Sequence, residues 1–133
     1  MNIFIADRQK KVRNALKILL SKHPGWNVTG MAKDPDELEK ELHNQNPNVL
    51  LLDWSLGNTL SNDLLESLQS THPDLIIVIM SGNPDIRKQA KTAGVDLFIN
   101  KLDSPHSLIS TLNACERKIE QKNTSTQEHL PLK

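Results

Sequence analysis

Four polar residues each follow a short apolar run: Asp7 after NIFIA, Asp53 after VLLL, Ser81 after LIIVIM and Lys101 after VDLFIN. Together they offer two carboxylates, a hydroxyl and an ammonium. That set suits an anionic phosphoryl group. A carboxylate can act as nucleophile and form an aspartyl phosphate. Phosphoryl transfer asks the protein for positioning and charge neutralisation more than for covalent help. A lysine supplies a point charge to one phosphate oxygen, and a serine hydroxyl donates to another. Gly82, directly after Ser81, leaves room for the group to approach. The acidic oxygens would hold Mg²⁺, which takes carboxylates plus waters. Each residue alone is more often a solvated charge or a helix cap. The chemistry requires that all of them meet.

The elements that must bring them together follow from the apolar pattern. Asn2–Ala6 reads as a strand. Lys10–Lys22 reads as a helix, because Val12, Leu16, Leu19 and Leu20 recur at helical spacing. His23-Pro24-Gly25 stops it. Trp26–Met31 alternates and reads as a second strand. In Asp34-Pro35-Asp36-Glu37, Asp34 can cap a helix, Pro35 suits its first position, and Glu37 completes a capping box. That helix runs to about Gln45. Val49–Trp54 is apolar up to Asp53, as expected of a buried parallel strand. After a loop at Ser55–Thr59, the residues Leu60, Leu64, Leu65 and Leu68 mark a third helix.

Leu75–Met80 is a fourth strand, followed by the turn Ser81-Gly82-Asn83-Pro84. A helix near Asp85–Ala93 ends at Gly94, suited to a left-handed cap. Val95–Asn100 is a fifth strand. Ser104-Pro105 opens a last helix with the stripe Leu108, Leu112, Cys115 and Ile119. Residues 1–122 are expected to form one domain. Asn123–Lys133 is polar and aperiodic and reads as a tail or linker.

Serial βα units predict an α/β fold, a doubly wound parallel sheet of order 2-1-3-4-5. Its working crevice lies at the C-terminal ends of strands 1 and 3. That is where Asp7 and Asp53 fall, with Ser81 and Lys101 on the same rim.

Composition narrows the function classes. The chain has 133 residues, with 16 Lys and Arg balanced by 16 Asp and Glu. A net charge of zero argues against direct nucleic-acid binding and against a membrane-surface protein. The longest apolar runs are too short to span a bilayer. MNIFIADRQKK lacks the pattern of a signal peptide. A single cysteine, Cys115, excludes an internal disulfide framework and a Cys-rich zinc site. The expected location is the cytoplasm. Aromatic residues make up 3%, too few for a base- or sugar-stacking platform. The histidines show no metal-ligand spacing.

With IFIADRQKKVRNAL, PNVLLLDWSLG, IIVIMSG and GVDLFINKLDSP in this order, the chain resembles a response-regulator receiver domain. It is most similar to receivers of the class often fused to a helix-turn-helix DNA-binding domain. The resemblance covers about Asn2 to Lys118. It implies the flavodoxin-like receiver fold and a phosphoacceptor at Asp53. Lys101 would contact the phosphoryl group, and Ser81 would move toward it. Phe98 would be the aromatic that reorients, and Asp7 the first of an acidic pair. The backbone carbonyl of Ser55 would be a metal ligand with Asp7 and Asp53. The implied partners are a sensor histidine kinase or a histidine phosphotransfer protein, with a homodimer through the helix 4–strand 5–helix 5 face. Such a chain is a phosphoacceptor, not an enzyme acting on other substrates.

Three departures stand out. Arg8 occupies the second acidic position, normally the main direct carboxylate ligand of Mg²⁺. Pointing inward, Arg8 would repel the ion or pair with Asp53; pointing outward, it would leave Asp7 and Asp53 to bind it less tightly. Leu102 stands where the family usually has proline, and a trans bond is expected before it. The loop SLGNTLSND lacks the family's usual proline and acidic-glycine pattern.

Arg8 motivates an alternative, a phosphorylation-independent pseudo-receiver that works as a protein-interaction module. A flavodoxin-like or phosphatase-like enzyme fits less well. DRQKK lacks a Ser/Thr/Gly-rich phosphate cradle, and Asp53-Trp54-Ser55 lacks a second carboxylate two residues on.

Overall fold

Leu-, Ile- and Val-rich runs form strands, and apolar stripes at helical spacing form helices, in a computed structural model of the chain. It describes residues 1–56, 62–95 and 97–128, without the side chains of residues 62 and 124–128. Strands β1 (Asn2–Ala6), β2 (Asn27–Ala32), β3 (Val49–Asp53), β4 (Ile76–Ser81) and β5 (Leu97–Asn100) alternate with five helices. These are α1 (Lys10–Ser21), α2 (Pro35–Asn44), α3 (Asn62–Thr71), α4 (Ile86–Thr92) and α5 (Pro105–Glu128). All strand pairs are parallel, in the order β2-β1-β3-β4-β5. The expected doubly wound α/β architecture is therefore present.

The pleat sorts the core into two layers. Phe4, Leu50, Leu52, Ile77, Ile79 and Phe98 face α2, α3 and α4. Ile3, Ile5, Val49, Leu51, Val78 and Ile99 face α1 and α5, where Leu20, Leu112 and Cys115 are buried. Burial on both faces is why β3 reads as an unbroken apolar run. At the β1–β2 pairing, Phe4 lies opposite Gly30, where the register shifts. A Cβ on Gly30 would come within 2.6 Å of the Phe4 ring, so the ring occupies the space a side chain would need.

Local predictions hold at several helix ends. Asp34 caps α2, its Oδ1 accepting the Glu37 N–H at 2.8 Å, with Pro35 at the first position. Gly94 follows α4 with φ +90°. Element ends move by a residue or two, as with β2 starting at Asn27 rather than Trp26. Helix α4 begins at Ile86, because Asp85 provides no side-chain cap and the preceding turn is tied by Asn83 Oδ1 to the Asp85 N–H. The described part of β5 is Leu97–Asn100; Val95, expected in the strand, is not in it, and residue 96 lies outside the described residues.

The stretch 123–128, expected to be an aperiodic tail, continues α5 as helix. No apolar stripe is needed there. A helix already nucleated upstream continues at a modest cost per residue through Asn, Thr and Ser, and more easily through Gln and Glu. The expected start of the third helix at Leu60, the loop residues 57–59 and the terminal residues 129–133 lie outside the described residues. Among the described residues no helix is long and apolar enough to cross a membrane.

Candidate functional site

Parallel strands end their side chains on one rim, and backbone bonds between strands fix that rim's geometry. The Asp7 N–H donates to the Ala32 carbonyl at 3.0 Å, and the Trp54 N–H to the Met80 carbonyl at 2.9 Å. The Lys101 N–H donates to the Ser81 carbonyl at 2.9 Å. Each site residue is thus held at a strand end by its neighbouring strand.

Three of the four expected side chains meet. The Lys101 ammonium lies 2.6 Å from Asp7 Oδ2 and 3.2 Å from Asp53 Oδ1. Asp7 is fully buried and Asp53 is 5% exposed. Buried charges need pairing and hydrogen bonds. Asp7 Oδ1 accepts the Gln9 N–H at 2.8 Å, and Asp53 Oδ1 accepts the Ser55 N–H at 3.2 Å. Lys101 keeps a quarter of its side chain exposed, so the cluster opens to solvent on the lysine side.

Ser81 stands on the same rim, buried, next to Met80, which pairs with Asp53. Its hydroxyl accepts the Asn83 N–H at 3.1 Å, within its own loop. Phe98 is buried among the residues facing α2 to α4, on the sheet face opposite α1 and α5. Ser55 is exposed, directly beyond β3.

Arg8 is exposed, and neither ion pair of the cluster includes it. The inward pairing of Arg8 with Asp53, weighed from the sequence, is not what the structure shows; Lys101 holds that carboxylate. The reason is local. Arg8 follows the buried Asp7 on a chain turning toward α1, and its carbonyl accepts from Arg13 Nη1 at 3.1 Å.

Two residues escape a reading of the sequence. Arg13 Nη1 also donates to the Asp7 carbonyl at 2.7 Å and so secures the loop that carries the acid. Arg87, on α4, places its guanidinium carbon 4.8 Å from the Phe98 ring centroid. No pattern in the sequence marks either, since both are ordinary cations on helices. Trp54, beside Asp53, packs against the α2–α4 core layer, as expected of a structural tryptophan.

Among the described residues no group of three or more His, Cys, Asp or Glu is arranged to hold a metal. The rim offers two carboxylates, Asp7 and Asp53, instead. Mg²⁺ binds through one or two carboxylates and keeps several waters. The residues present fit such a water-rich site, with fewer protein ligands than three acids would give.

Known proteins are similar to this chain in sequence and in fold. The family model for the response regulator receiver domain matches residues 3–113. A protein-glutamate methylesterase/protein-glutamine glutaminase from Xanthomonas campestris is 31% identical over 104 residues, covering 76% of this chain and 29% of that protein. A homologous protein from Rhodopseudomonas palustris is 28% identical over 104 residues, covering 78% and 26%. The chain thus spans less than a third of the length of these relatives. The isolated REC domain of RcsB from Salmonella enterica serovar Typhimurium superimposes with a TM-score of 0.78 at 24% identity, covering 88% of each chain. A LuxR-family two-component response regulator from Aurantimonas gives 0.77 at 20% identity, covering 85% and 82%. The order of strands, the rim that gathers Asp7, Asp53 and Lys101, and the family match over most of the chain agree, and the chain belongs to the response regulator receiver domains of two-component systems.

Proposed function

We propose that Asp53 accepts a phosphoryl group from the phosphohistidine of a sensor histidine kinase or a histidine phosphotransfer protein. The observation that carries this reading is the Lys101 ammonium lying between Asp7 and Asp53. An Asp53 oxygen attacks phosphorus as the donor's P–N bond breaks, and that electron pair stays on the imidazole nitrogen. Lys101 offsets negative charge on the transferred oxygens. Water later attacks the acyl phosphate, which releases inorganic phosphate and restores the carboxylate. The chain is then a phosphoacceptor that resets itself, not an enzyme acting on other substrates.

Asp7, Asp53 and the Ser55 carbonyl would hold Mg²⁺. The ion, when bound, supplies further charge neutralisation at the phosphoryl oxygens. Arg8 takes the place of a third acid and weakens that site. Ser81 exchanges its Asn83 N–H for a phosphoryl oxygen, Phe98 follows, and the α4–β5–α5 face changes for a partner or a second copy. Residues 1–122 act as the unit that switches, in the cytoplasm where such donors work, without direct contact to nucleic acid or membrane.

Arg8 favours one other reading, a pseudo-receiver that binds partners without being phosphorylated. Acetyl phosphate labelling with Mg²⁺ or Mn²⁺, followed by intact-protein mass spectrometry, separates the two. A mass gain of one phosphoryl group that is lost in Asp53→Ala supports the phosphoacceptor. No gain at high donor concentration supports the interaction module.

A further inference from the structure

Arg13, half-buried in the first turn of α1, donates from one nitrogen to two consecutive carbonyls. Its Nη1 lies 2.7 Å from the Asp7 carbonyl oxygen and 3.1 Å from that of Arg8. These carbonyls belong to the two peptide units that flank the Arg8 Cα. Each unit is planar, so holding both fixes the backbone dihedrals of Arg8 and with them the direction of its side chain. The second unit is also held at its other end, where the Gln9 N–H donates to Asp7 Oδ1 at 2.8 Å. Gln9 itself provides no side-chain cap for α1. Arg13 closes the loop onto the helix a second time, since its own N–H donates to the Gln9 carbonyl at 3.1 Å.

The direction so fixed is outward. Arg8 is exposed although it adjoins Asp7, which is fully buried. Charge alone would send it the other way. Among the described residues Asp7 and Asp53 form ion pairs with Lys101 alone, so the cluster carries one negative charge in excess. In surroundings of low dielectric such an excess attracts a nearby cation strongly, and a guanidinium matches carboxylate geometry better than an ammonium does. An arginine that adjoins this excess and still turns to solvent is restrained through its backbone.

We infer that Arg13 is a positioning residue that keeps Arg8 out of the carboxylate pair. Arg13 need not touch an ion or a phosphoryl group; it acts through the two peptide units on either side of Arg8. The chain can thus carry an arginine at position 8 without an ion pair closing the site. The consequence for Mg²⁺ rests on the reading of Asp7 and Asp53 as its ligands, whereas the restraint on Arg8 does not.

The test begins without metal. Hydrogen exchange of the Arg8 Nε–H is followed by NMR in the parent chain, in Arg13→Met, which keeps an aliphatic stem and loses the donors, and in Arg13→Ala. Circular dichroism checks the fold of each. Exchange in the parent should match that of free arginine. In the variants it should slow about tenfold, the effect of one hydrogen bond between charged groups. Adding Asp53→Asn should return it to the parent rate. Mg²⁺ affinity is then measured by titration calorimetry. Arg13→Met should lower it about tenfold, as loss of an outer support to a metal site does, and Arg8→Ala in that chain should restore it. An Arg13 that merely braced Asp7 would lower the affinity without such restoration. The assignment is overturned by Arg8 exchange that is already slow in the parent or unchanged in the folded variants, by slow exchange that survives Asp53→Asn, by an affinity that Arg8→Ala does not restore, or by loss of the fold in both variants. A parent chain that binds no Mg²⁺ sinks the reading of Asp7 and Asp53 as ligands, while the exchange measurement still decides for or against Arg13.

Discussion

Lys101 is bound more closely to Asp7 than to Asp53, at 2.6 Å against 3.2 Å. Asp7 is also the more deeply buried of the two acids. The lysine is therefore as much the structural counter-ion of β1's acid as a group reserved for a ligand at β3. Its removal tests both roles at once.

Lys101→Met leaves two buried carboxylates facing each other without a cation. Breaking a buried pair is costly, and partial exposure of the lysine tempers the cost to about 2 kcal/mol. Urea denaturation should show that loss near neutral pH. Asp53→Asn in the Lys101→Met background should recover part of it, because one of the two repelling charges is gone. A Lys101→Met chain as stable as the parent would mean that the ion pair contributes nothing to folding.

Arg87→Ala removes the guanidinium from the Phe98 ring. An exposed cation–π contact is worth about 0.5–1 kcal/mol, so stability should fall slightly. The sharper readout is motion. Aromatic relaxation dispersion should show greater exchange for Phe98 in Arg87→Ala, and Arg87→Lys should lie between the two. Identical dispersion in all three chains would remove Arg87 as a restraint on the ring.

Gly30→Ala should destabilise the sheet. The new Cβ would sit 2.6 Å from Phe4 Cε2 and 2.9 Å from Gln45 Oε1. Overpacking of this kind costs about 1–3 kcal/mol. Gly82→Ala, where nothing lies within 4 Å, should change the thermal midpoint little. Equal effects of the two substitutions would contradict the packing described around Phe4.

Burial pushes the Cys115 thiol above its ordinary range, with Lys118 opposing in part. The folded chain therefore holds the proton where the unfolded chain releases it. Stability should be unaffected by this group below the ordinary thiol pKa, and should decline as pH rises above it, from about pH 8 upward. Cys115→Ala should remove that part of the slope in urea midpoints measured across the alkaline range.

Arg8→Asp should raise the rate of acetyl phosphate labelling and lower the Mg²⁺ concentration needed for it, by about tenfold for an added carboxylate ligand. Equal rates in the two chains would show that the exposed arginine has no influence on the site.

The strands and their rim were legible because burial on both faces writes itself as continuous apolar runs, and the first polar residue after each run marks the sheet's edge. Asp7, Asp53 and Lys101 could be placed together on that basis alone. The direction of Arg8 could not, because it depends on how the chain turns between β1 and α1. The same limit hid Arg13 and Arg87, whose partners are a backbone carbonyl and a ring distant in sequence. The helical course of residues 123–128 was hidden for a different reason: their sequence, Asn-Thr-Ser-Thr-Gln-Glu, carries no apolar repeat to mark it.

One backbone bond joins parts that a list of side chains keeps separate. The amide of Lys101 rests on the carbonyl of Ser81. The last residue of β4 and the turn after β5 are therefore yoked, like two keys on one bar. A shift at either strand end is therefore coupled to the other, so substitutions in the 81–84 turn should perturb the environment of Lys101 as well as their own.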